Sequence, residues 1–83
     1  MSAVVHKGWK LHYTIGDLVC GPVVVGDEIP MPERHGEHDT YVVLGGRPPH
    51  KPGSTGRVNV RSKLHGWEQE FYPSVVGAKW IEG

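Results

Sequence analysis

Trp9-Lys10-Leu11-His12-Tyr13-Thr14-Ile15 is the stretch that decides the fold class. It alternates with period two. Trp9, Leu11, Tyr13 and Ile15 share one face, while Lys10, His12 and Thr14 take the other, the pattern of a half-buried strand. Gly16-Asp17 closes it with a turn signal, and similar segments follow down the chain. Leu18-Val19-Cys20 and Val23-Val24-Val25 are short apolar runs parted by Gly21-Pro22. Proline cannot donate to a strand ladder, so Pro22 marks a kink, a bulge or an edge. Gly26-Asp27 turns the chain again, before Glu28-Ile29.

Thr40-Tyr41-Val42-Val43-Leu44 is the strongest strand by composition. Arg57-Val58-Asn59-Val60-Arg61 puts its valines inward and Arg57, Asn59 and Arg61 outward. A further strand is predicted from Trp67 to Tyr72, with Trp67, Gln69 and Phe71 on one face. Pro73-Ser74-Val75-Val76 suits a single helical or 3₁₀ turn opened by proline, and Lys79-Trp80-Ile81 a closing strand. Twelve glycines and seven prolines leave little room for a long helix. Two polar loops remain, residues 30–39 and 45–56.

The 83 residues make one domain, 1–83. A single cysteine, Cys20, rules out an intrachain disulfide and points to a reducing, cytoplasmic setting; flanked by Val19 and Gly21, it reads as a small core residue. Neither a signal-peptide pattern nor a membrane-length apolar run is present. The formal net charge is zero, but the charges are segregated. Acids exceed bases over residues 1–39 and 68–83, whereas residues 40–67 carry Arg47, Lys51, Arg57, Arg61 and Lys63 with no acid. Such asymmetry points to an anionic partner or to self-association.

The order of these elements (strand, long loop, strand, hairpin, 3₁₀ turn, terminal strand) resembles that of SH3-like barrels. Gly16-Asp17-Leu18-Val19 and Gly26-Asp27-Glu28-Ile29 resemble the glycine–aspartate strand entries of those barrels. The resemblance implies an all-β barrel of five to six strands, with an aromatic-lined groove between two long loops. Phe71-Tyr72-Pro73 is also similar to the Val-Gln-Ile-Tyr-Pro segment of type II dihydrofolate reductases. Only Tyr72 and Pro73 match, and Glu70 stands at the position of that family's pore glutamine.

The candidate binding residues are Tyr41, Arg47, His50, Lys51, Arg57, Arg61, Lys63, Trp67 and Tyr72. Guanidinium and ammonium groups suit phosphate contacts, and the aromatic rings offer stacking surfaces. About 13 Å separates the Cα atoms of Arg57 and Arg61 on one strand face, and cross-strand pairing with Glu68 and Glu70 is the structural alternative. His35 and His38 have a spacing that metal sites use, but no cysteine lies near them and a closed site needs four ligands. Lys51-Pro52-Gly53-Ser54-Thr55-Gly56 lacks the order of a phosphate-binding loop and precedes a strand. No catalytic triad or carboxylate pair is readable, and no metal or cofactor is expected. The expected function is that of a small non-enzymatic binding module that uses the 30–39 and 45–56 loops on a protein or peptide partner. Homo-oligomeric assembly with an inter-subunit site, and nucleic-acid or anion binding through residues 47–65, are the alternatives.

Overall fold

The computed structural model describes residues 2–34 and 37–82. It contains eight strands and one 3₁₀ turn: β1 (Val5–His6), β2 (Trp9–Ile15), β3 (Leu18–Pro22), β4 (Glu28–Arg34), β5 (Glu37–Arg47), β6 (Arg57–Ser62), β7 (Glu68–Phe71), the 3₁₀ turn Pro73–Val76 and β8 (Ala78–Glu82). The strands form two antiparallel four-stranded sheets. In the first, β2 pairs with β1, β3 and β8. The second is the meander β4-β5-β6-β7. The all-β class is as expected. The five or six strands of a barrel are not: eight strands divide between two sheets, and no closed barrel forms among the described residues. The reason lies in the last third of the chain. β7 stops at Phe71, Pro73 opens the 3₁₀ turn, and β8 then joins β2 of the other sheet.

Two tight turns build the first sheet. Lys7 and Gly8 both have positive φ (50° and 83°) between the paired residues His6 and Trp9, the backbone a two-residue hairpin favours. Gly16, at φ 60°, opens the next turn between the paired Ile15 and Leu18. Backbone bonds from Gly26 N to Val43 O (2.8 Å) and from Val43 N to Asp27 O (2.9 Å) tie the chain leaving this sheet to the centre of the second.

The core between the sheets is Val4, Leu11, Val23, Val43, Val58, Val60, Val76, Ala78 and Trp80. Burial of each larger apolar side chain contributes about 1.5–3 kcal/mol, and Val43, Val58 and Val60 suit the pleated strands that carry them, which favour β-branched residues. The inward valines of β6 are thus as expected. Three sequence expectations differ. Ile15 is exposed because it stands at the hairpin tip, past the end of the core. Residues 23–25 form only a bridge, Val24 to Ala3, because the N-terminal segment pairs with them there. Cys20 is half-exposed on β3 rather than in the core, its Sγ 3.8 Å from Leu18 O.

The 30–39 segment, expected as a loop, is mostly strand: β4 runs through Arg34 and β5 starts at Glu37. Pro30 keeps its place because β4 is the edge of its sheet. β5 also extends beyond Leu44 to Arg47, with a register shift between Val43 and Gly45, so the second loop begins at residue 48. β5 spans about 33 Å, close to the longest dimension of the molecule, 38 Å. The two segments expected to flank one groove therefore sit at opposite ends of β5.

Ser62 is buried, with 1% of its surface exposed, and its hydroxyl donates to Asp39 Oδ2. Asp39 Oδ1 accepts from Thr40 N at 2.7 Å and Leu64 N at 3.1 Å, so this carboxylate ties the β6–β7 connection to β5. The Ser62 hydrogen bond above all, then the Leu64 and Thr40 amides and the charge of His65, hold the Asp39 carboxyl below the usual carboxylate range against the opposing effect of burial. The lowered value means that this stabilisation is complete above the ordinary aspartate pKa and is lost as pH falls through the folded-state value. Acid titration followed by circular dichroism should show a steeper loss of structure below about pH 4 in the wild type than in Asp39→Asn. Parallel acid limbs would remove Asp39 from this role.

Candidate functional site

Arg47 and Arg57 are direct partners in the β5–β6 register. Like charges placed opposite one another cost stability, so the local fold has to dispose of both. Arg47 does so by pairing with Glu70 on β7. The Arg57 guanidinium carbon lies 4.1 Å from the centre of the Tyr72 ring, a cation–π contact, and its Nη1 donates to Gly56 O at 2.8 Å. Tyr72 remains 55% exposed.

Between the two arginines the chain makes a loop, residues 48–56. Lys51-Pro52-Gly53-Ser54 is a β-turn closed by Ser54 N to Lys51 O at 3.2 Å, with Gly53 at φ 84°. Proline followed by a positive-φ glycine is the sequence of a type II turn. Ser54 Oγ accepts from Gly56 N at 3.3 Å. The base of the loop is pinned by Trp80. Its indole Nε1 donates to Arg57 O at 3.3 Å, and the backbones of Gly46 and Gly56 close on the ring, so that a β-carbon on Gly56 would stand 2.6 Å from Trp80 Cδ1.

Held this way, the loop has a cleft on each side. One, of about 790 Å³, is polar and lies against Arg47, Arg57, Glu70 and Tyr72, with His50 and Lys51 on the loop side. Glu70 is the single carboxylate lining it among the described residues. The other, of about 870 Å³, is mainly apolar and lies against Trp9, Pro73, Ala78 and Trp80.

The predicted site residues thus fall into separate groups. Arg47, His50, Lys51, Arg57 and Tyr72 come together around the polar cleft. Arg61 is exposed at the other end of β6, opposite Glu68. Lys63 pairs with Glu28 at 2.6 Å. Trp67, 55% exposed, is stacked on His65 with ring centres 4.4 Å apart. Tyr41 is half-buried against the core, 5.3 Å from Phe71. The expected pairing of the β6 arginines with β7 carboxylates is replaced at Glu70, which takes Arg47 instead. His35 of the His35–His38 pair lies outside the described residues, and no cluster of three or more His, Cys, Asp or Glu side chains suited to a metal forms among the described ones. No described helix is long and apolar enough to cross a membrane.

No family model matches the chain, nor does any curated protein or solved structure. Sequence reading missed Trp9 and Trp80 as walls of a cleft, and Gly46 and Gly56 as the residues that let Trp80 hold the loop. The glycines were visible, but their spacing from Trp80 is set by sheet pairing and carries no local signal.

Proposed function

We propose that the chain is a small non-enzymatic binding module whose polar cleft takes an acidic segment of a protein partner. The observation that carries this reading is the opposed Arg47–Arg57 pair, a costly arrangement for folding that concentrates cation charge on one cleft. His50 and Lys51 add to it, with Glu70 alone in opposition. Bidentate guanidinium contacts suit a carboxylate, and the exposed Tyr72 ring offers an adjoining apolar surface. The order of elements, from the β6–β7 hairpin through the 3₁₀ turn to the closing strand, supports a scaffold related to SH3-like barrels. Binding in that reading centres on the 48–56 loop, since the 30–39 segment lies at the far end of β5.

Glu70 then acts as an internal competitor for Arg47. A fluorescein-labelled peptide of alternating glutamate and leucine should bind the wild type, with affinity about tenfold lower for Arg57→Glu and about threefold higher for Glu70→Gln, the scale of partly exposed ion pairs. Fluorescence anisotropy reads both changes, with an oligothymidylate of the same charge as the second arm. Preference for the oligonucleotide, or a peptide affinity indifferent to both substitutions, would overturn the reading.

A further inference from the structure

The tip of the β2–β3 hairpin is apolar where it should be polar. Ile15 is 73% exposed, Leu18 65% and Val19 46%. Ile15 and Leu18 are register partners, so their side chains stand on the same side of the hairpin. Solvent-exposed turns of a free domain are ordinarily polar, and adjoining exposed apolar side chains mark interaction surfaces. Between them lies Asp17, exposed and the only charge of the tip.

The apolar cleft has the opposite character. Trp9, Pro49, Pro52, Pro73 and Trp80 supply its walls, and its charged and titratable residues are His50, Lys51 and Lys79, with no carboxylate among the described lining. An apolar cleft rimmed by cations is the complement of an apolar tip bearing one acid. The two features are also neighbours on one molecule, because Gly16 of the tip and Thr14 just before it line the same cleft. That placement matters. When a projecting element and its receptor adjoin, a two-fold axis between two copies seats each tip in the other's cleft, and the contact closes on itself.

We propose that two copies of this chain form a two-fold dimer in which the Ile15-Gly16-Asp17-Leu18 tip of each enters the apolar cleft of the other. Ile15 and Leu18 lie against Trp9 and the loop prolines, and Asp17 meets Lys79 or Lys51 at the rim. The contact leaves Arg57, Glu70 and Tyr72 outside it, so it goes beyond the peptide-binding reading and survives that reading's failure.

Sedimentation equilibrium from about 1 to about 500 µM tests the dimer. The expected wild-type result is a reversible dimer with a dissociation constant on the order of 10 µM. Leu18→Glu alters an exposed position, should leave the circular dichroism spectrum unchanged, and should weaken the dimer at least about tenfold. Asp17→Lys and Lys79→Glu should each weaken it, and mixing these two variants should restore both contacts in the heterodimer, one through the reversed charge pair and one through the native pair. A wild type that stays monomeric over the whole range overturns the dimer. A dimer indifferent to both Leu18→Glu and Lys79→Glu overturns this interface. The monomeric Leu18→Glu variant should still bind the acidic peptide, which separates the two proposals.

Discussion

Gly56→Ala is expected to lower folding stability by about 3 kcal/mol and the melting temperature by roughly 15 °C. Gly56 sits at φ 78°, and a β-carbon there would stand 2.5 Å from Arg47 O, 2.6 Å from Trp80 Cδ1 and 2.8 Å from Trp80 Nε1. None of these neighbours yields easily. Arg47 O belongs to the end of β5, and Trp80 is only 3% exposed, with its indole held by Arg57 O. Overpacking of this kind costs about 1–3 kcal/mol, and the left-handed backbone adds about 1 kcal/mol for a residue with a β-carbon. Gly53→Ala separates the two contributions: its φ is 84°, yet nothing lies within 4 Å of its added β-carbon. It should lose only about 1 kcal/mol. Urea unfolding with an unchanged denaturant slope measures both variants. Equal losses at the two glycines would show that Trp80 does not pin the loop.

The same contrast explains what the sequence revealed. Period-two alternation located β2 and β6, and a proline suited to the opening position located the helical or 3₁₀ turn at Pro73–Val76, because these signals are local to the residues that carry them. β1 escaped notice since two residues carry no period, and its Lys7-Gly8 turn places a lysine where glycine or asparagine is usual. Polar composition made residues 30–39 read as a loop, although edge strands are often polar and proline-bearing. The cationic half of the site was legible as a charge excess over residues 40–67. Its division into two ends of β6 was not, because a six-residue strand separates what composition joins. Nor was the apolar cleft, since Trp9, Pro49, Pro73 and Trp80 come from four parts of the chain. What decides the site here is the neck of the loop, where Trp80 of one sheet meets Gly46 at the end of β5 and Gly56 at the end of the loop. A cleft on each side of that neck follows from the fold rather than from any motif.

A second point of contact between the sheets should prove as sensitive. Asp27→Ala is expected to cost about 3 kcal/mol, because one carboxylate oxygen serves two donors in different parts of the fold. Asp27 Oδ2 accepts from Tyr13 OH on β2 at 2.8 Å and from Val24 N at 2.9 Å. The adjoining backbone, through Gly26 N and Asp27 O, binds both polar groups of Val43 at the centre of β5. Truncation leaves the Tyr13 hydroxyl and the Val24 amide without their acceptor in a half-buried place. Tyr13→Phe removes one bond and leaves the other, so it should lose only about 1 kcal/mol. The Tyr13 hydroxyl also gives the pair a signature in pH. Burial, then the hydrogen bond to Asp27 and its negative charge, push the Tyr13 pKa well above the usual tyrosine value. A raised folded-state pKa means that the protonated hydroxyl stabilises the fold fully below about pH 10, and that this contribution fades as pH rises beyond it. Alkaline unfolding should therefore be steeper in the wild type than in Tyr13→Phe. If Asp27→Ala unfolds at the wild-type urea concentration, the Asp27 side chain contributes nothing to holding the two sheets together.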